Sequence, residues 1–148
     1  MLAAALICAL AACSQRQQSP GPVSGAAAGR QLARKTAGNG RLIFLTGRDD
    51  KGRKIVAAIP PLRPSCAACH GANGAGGNKF PDGAISADLR HAALVGKQKP
   101  PYTIASIARA ISQGIDNQGK PLDKVMPRWK LSQRDLRDVS QYVYSSLR

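Results

Sequence analysis

Cys66 and Cys69 set two thiols three residues apart, and His70 follows the second one at once. This order suits one chemistry: two thiols that add across the two vinyl groups of a haem, and an imidazole one step further on that is held under the iron as its proximal ligand. A bare Cys-X-X-Cys is also half of a zinc site, but zinc would need two more ligands at matching spacing. The only other cysteines are Cys8 and Cys13, both in an apolar segment at the start of the chain. A thioredoxin-like redox pair should follow a long apolar strand at a helix start, and no such strand precedes Cys66. The motif therefore predicts a covalently bound haem c.

A haem iron has a second axial position, and Met126 is the candidate to fill it. Apart from the first residue it is the only methionine, and it stands in a turn-rich stretch before Pro127. A thioether is a soft ligand suited to haem iron, and His/Met coordination raises the reduction potential relative to two nitrogens. His91 is the only other histidine, and on a short polar segment a lone histidine is more often solvated. A metal-bound histidine commonly donates its second ring N–H to a fixed acceptor. The backbone carbonyl of Pro81, eleven residues beyond His70, is placed to be that acceptor; the alternative is a plain turn proline. The Tyr102 hydroxyl and the Trp129 indole N–H are candidate donors to the haem propionates, against the alternative of packing alone.

These side chains need elements to hold them. Gly40 and Phe44 are four apart, which on a helix puts a small residue and a large one on the same face and suits a close helix crossing. The alternative there is a β-hairpin of Leu42–Leu45 with Ile55–Ile59. Gly47–Ser65 reads as a long loop with room for a short hairpin, and Gly71–Gly77 as a compact, backbone-dense turn. Ser86 is the expected N-cap of a short helix to Leu94. Pro100 and Pro101 open a stronger helix over Tyr102–Gln113, whose Ile104, Ile107 and Ile111 should line an apolar pocket wall and whose end is marked by Gly114. The last helix begins at Ser132, stapled by Leu131 and Leu136, with Leu136, Val139, Val143 and Leu147 as its apolar stripe. It should cross the first helix near Gly40 and Phe44.

The ends and the charge bound the setting. Residues 1–12 read as a signal peptide, too short to span a bilayer. Leu10-Ala11-Ala12-Cys13 resembles the lipobox of bacterial lipoproteins, which makes Cys13 the expected acylated residue after cleavage; the alternative is an ordinary signal peptide cut near Ala12 with an incidental cysteine. Residues 13–35 carry Gln, Ser, Pro, Gly and Ala without an apolar period and read as a lipid-anchored flexible tether. Residues 36–148 are then one small domain. The net charge of +14, with Asp as the only acidic residue type, favours attraction to acidic surfaces. Nucleic acid is not expected, because an exported chain would not meet it and basic grooves with interleaved aromatics are missing. Anionic lipid headgroups near the tether are a further possible partner.

Taken together these residues resemble class I cytochrome c. The likeness runs from about Gly40 to Leu147, through Gly40-X-X-X-Phe44, Cys66-X-X-Cys69-His70-Gly71, Pro81, Met126-Pro127 and a C-terminal helix bearing Tyr142. It implies an all-α cytochrome c fold in which the first and last helices cross around one haem, with Pro81 and Met126 in their family roles. With the leader and the positive charge beside it, the expected protein is a periplasmic monomer that shuttles electrons between redox partners, acidic ones among them. Other functions left open are a haem-bearing subunit of a larger redox complex and an enzyme or sensor with an open iron site. The sequence departs from the family in the inserted loop Gly47–Ser65 ahead of the haem motif.

Overall fold

The computed structural model describes residues 25–59 and 63–148. Cys13 and the signal-peptide assignment lie outside them. In chain order the elements are helix α1 (Gly25–Thr46), strand β1 (Val56–Ala57), helix α2 (Cys66–His70), a π-helical turn (Ala92–Gly96), helix α3 (Ile104–Gln113), strand β2 (Trp129–Lys130) and helix α4 (Gln133–Ser146). The fold is all-α apart from the two-residue ribbon, as expected.

α1 and α4 cross where the small residue predicts it. A Cβ built on Gly40 would fall 2.1 Å from the Asp138 carbonyl oxygen and 2.8 Å from Tyr142 Cβ, so the two backbones touch through the missing side chain. One turn on, Phe44 is fully buried and its ring lies 5.5 Å from that of Tyr142. The core continues through Ile43, Val139 and Val143 to Ile107 and Ile111 of α3. Beside this apolar crossing sits a buried polar one. Asn39 donates through Nδ2 to Asp135 (3.0 Å) and Asp138 (2.8 Å), and its Oδ1 accepts the Asp50 amide (2.9 Å). One amide thus joins α1, α4 and the loop after α1.

α4 starts as its sequence states, with the Ser132 hydroxyl accepting the Asp135 amide. α3 starts two residues later than expected: Thr103 is its N-cap, in a reciprocal capping box with Ser106, and Gly114 closes it in the left-handed region.

Three expectations are corrected. The stretch assigned to a tether is helical from Gly25, well before Lys35. Its first turns are exposed, so intrinsic propensity of Ala26–Ala28, Gln31, Leu32 and Ala33 carries the helix where no apolar period does. The hairpin alternative also fails, since Leu42–Leu45 lies inside α1 and Val56–Ala57 pairs antiparallel with Lys130 and Trp129, more than seventy residues away. Ser86–Arg90 is not helical. Ser86 is tied to the glycine-rich turn by its backbone bonds with Asn78 and Gly77, and its hydroxyl accepts the Asn78 amide (3.0 Å), so tertiary pairing takes the groups a helix would have used. The helical turn forms later, at Ala92–Gly96.

Candidate functional site

α2 is a single turn, and its Ser65 cap accepts the Ala68 amide at 3.3 Å. Cys66 and Cys69, three apart on that turn, lie on one face of it. Among the described residues neither forms a disulfide. Burial pushes the Cys66 thiol up to about 12, and burial also raises Cys69, so both hold their protons near neutral pH. His70 ends the turn and is 7% exposed. Burial lowers its pKa, the backbone hydrogen bond to Ala87 working against that, and the imidazole is neutral at pH 7.

His70 Nδ1 lies 2.8 Å from the carbonyl oxygen of Ala87. A carbonyl can only accept, so Nδ1 carries the proton and Nε2 keeps its lone pair for a metal. The expected acceptor was Pro81, and the structure corrects it: Ala87, seventeen residues from His70, does that work. The reason lies in Gly76, where φ is +67° and a Cβ would sit 2.3 Å from the Ala87 oxygen. The absence of that side chain lets the segment after Ser86 lie flat on the glycine-rich turn, which brings its carbonyl to the ring. The density of glycine was legible in the sequence; which distant carbonyl it admits was not.

Cys66, Cys69, His70 and Met126 border one cavity of about 430 Å³, within the roughly 300–1,000 Å³ usual for bound cofactors. Its apolar wall includes Ile107, Ile111 and Leu94; Ile104, expected with them, is not part of it. Tyr102 lines the cavity near a polar margin of Asn117, Gln118 and Lys120, and burial raises its phenol pKa. Trp129 is 3% exposed, belongs to the core, and borders a small crevice shared with Cys66, Cys69, His70 and Met126. Met126 therefore meets the imidazole's surroundings from a loop fifty-six residues away in sequence. His91 stands elsewhere, its Nδ1 2.8 Å from the Tyr144 carbonyl at the end of α4.

The donor set fits a haem. Two thiols that can meet its vinyl groups border one apolar cavity together with an imidazole whose lone pair is fixed at Nε2 and a thioether, the borderline and soft donors a porphyrin iron takes. Among the described residues no three His, Cys, Asp or Glu side chains gather as a set for a bare metal ion, so the zinc alternative for the thiol pair finds no partner ligands. Nor is any described helix long and apolar enough to cross a membrane.

Sequence reasoning missed Ala87, Asn39 and Arg128. The last sends its guanidinium to four backbone carbonyls around the Met126 loop. Comparison with known proteins finds the family model described as Cytochrome c over residues 50–146, about two thirds of the chain. No curated protein and no solved structure matches the chain.

Proposed function

The chain belongs to the cytochrome c family, and from that membership we propose that it is a monohaem electron carrier with His70 and Met126 as the two axial ligands. Members of the family bind haem c covalently and are generally electron carriers. Here Cys66 and Cys69 would make the attachment, each thiol giving its sulfur to one carbon of a vinyl double bond and its hydrogen to the other, with no net oxidation. Bound there, the haem supplies a one-electron couple at its iron.

The rest is done by the chain. The Ala87 carbonyl holds the His70 ring in one tautomer, burial keeps that ring neutral, and the apolar walls from α3 exclude water from the iron's surroundings. The Tyr102 hydroxyl is read as a propionate donor at the polar margin. The observation that carries the reading is that Met126 and His70 border the same cavity. With both axial positions filled, no vacancy is left for small-molecule chemistry, and electrons pass outer-sphere to a partner that docks briefly. The high positive charge suits an acidic partner.

The reading extends to location. Cytochrome c domains are typically exported, and Cys13 at the lipobox is read as the acylated anchor of a periplasmic, monomeric lipoprotein. A Cys13→Ser protein should leave the membrane fraction; one that stays there refutes acylation as the anchor. The ligation is tested with carbon monoxide. The reduced native protein at neutral pH is expected to show no immediate spectral shift, whereas a prompt shift would reveal an open iron site and favour an enzyme or sensor.

A further inference from the structure

Arg128 has an environment unlike that of an ordinary surface cation. Nη1 donates to the Asp123 carbonyl (2.8 Å) and to the Met126 carbonyl, while Nη2 donates to the Leu122 carbonyl (2.7 Å) and, at 3.4 Å, to that of Gly114. All four terminal N–H groups of the guanidinium are thereby used, and every acceptor is backbone. None of the ion pairs among the described residues involves it. Three of the acceptors belong to the segment that presents Met126, and the fourth is the C-terminal residue closing α3, the helix whose Ile107 and Ile111 wall the cavity. A cation at a helix C-terminus also meets the negative end of the helix dipole.

Two details show that the chain is shaped around this group. Gly114 has φ +69°, and a Cβ there would fall 2.0 Å from Arg128 Nε and 2.2 Å from Cζ, so a side chain at that cap would expel the guanidinium. On its other side Arg128 is anchored by its own backbone, since its carbonyl accepts the Ala58 amide at 3.1 Å and Trp129 next to it pairs with Ala57. The inserted loop thus braces the residue that braces the methionine.

We propose that Arg128 is a positioning residue for the sixth ligand, a planar clamp that holds the Met126 loop against the end of α3 so that the thioether stays at the iron. This rests on the reading of Met126 as that ligand. Lysine cannot replace it, because an ammonium is a point donor and cannot span carbonyls on two segments as a rigid fork does.

The experiment uses the haem-loaded full-length protein and Arg128→Lys, with imidazole as the competing ligand. Three quantities are read: the weak sulfur-to-iron absorption band at the near-infrared edge, the rate at which imidazole replaces the native ligand in the oxidised protein, and helix content by far-UV circular dichroism. R128K is expected to keep its haem and its helices while imidazole enters at least about tenfold faster, the loss of even part of this hydrogen-bond set being enough for that factor. On heating, its sulfur band should vanish before its helices melt, a separation that a purely structural role would not produce. Lys124→Gln, which removes an exposed cation from the same loop, should leave the imidazole rate as in the native protein. Imidazole entry in R128K at the native rate overturns the proposal, as does an equal acceleration in K124Q. If R128K fails to load haem, Arg128→Gln is measured the same way, and failure of both overturns a positioning role in favour of a folding one. A native protein without the sulfur band would instead sink the reading of Met126, before Arg128 is tested.

Discussion

Gly40→Ala and Gly38→Ala, two residues apart on α1, should move stability in opposite directions. A Cβ on Gly38 meets nothing within 4 Å, and that residue is exposed on a regular helix, so alanine gains about 0.5–1 kcal/mol from backbone entropy and helix propensity. A Cβ on Gly40 meets the Asp138 carbonyl oxygen at 2.1 Å and carbon at 2.7 Å. Backbone cannot swing aside as a side chain can, so α1 and α4 must separate by roughly 1 Å, a gap that forfeits a quarter to a half of each dispersion contact across the crossing. Phe44, Ile43 and Val139 lose packing together, which sets the cost at the upper end for overpacking, about 3 kcal/mol. The gap between the two variants is then about 4 kcal/mol, or roughly 15 °C in Tm for a domain of this size. The assay is urea unfolding of the haem-loaded proteins at neutral pH, followed by far-UV circular dichroism. A Gly40→Ala protein within about 0.5 kcal/mol of native, the scatter of neutral surface changes, would refute the close crossing, and so would a Gly38→Ala protein destabilised as much as Gly40→Ala.

Asn39→Leu keeps volume and removes the amide that serves Asp135, Asp138 and the Asp50 amide, leaving Asp138, whose Oδ1 already has no hydrogen-bond donor, with Arg134 and Arg137 at 3.6 Å. A loss of about 3 kcal/mol is expected in the same urea assay; native-like stability would show that the buried network contributes nothing net. Asp88→Asn tests a pH effect. The Arg90 guanidinium, hydrogen-bonded to Asp88 at 2.6 Å, holds that carboxyl down to about 2 from an ordinary 3.8. A depressed carboxyl stabilises the folded state above its unfolded pKa and loses that contribution as pH falls through the folded one. Native and Asp88→Asn proteins should therefore differ by a constant amount above about pH 5 and converge between 3.8 and about 2. A difference that persists unchanged down to pH 2 would contradict the ion pair.

What could be read from the sequence followed from locality. The Cys66–His70 turn, the Ser132 cap and the small-over-large pair Gly40 and Phe44 each state their local structure within five residues, and the structure has that turn, that cap and that close crossing. The apolar spacing of α3 points to three isoleucines as cavity wall; Ile107 and Ile111 line it, and Ile104, on the same face but at the first residue of the helix, does not. What was illegible depended on distant backbone. Spacing alone points to Pro81 as the acceptor for His70, but it is Ala87, because the close approach permitted by Gly76 decides it. Val56–Ala57 reads as a local hairpin strand, yet its partner lies beyond Met126. Arg128 has no signature at all, since four carbonyl acceptors look the same in every sequence. Residues 25–35 lack an apolar period and so read as part of a tether, although their alanines are enough to extend α1.

An iron site closed by His70 and Met126 together has a direct spectroscopic signature, read in the absorption spectrum of the purified protein. Oxidised native protein should be low-spin and show the weak sulfur-to-iron band at the near-infrared edge, and Met126→Ala should lose that band while keeping its haem through Cys66 and Cys69. A high-spin native spectrum without the band, indistinguishable from that of Met126→Ala, would contradict the account.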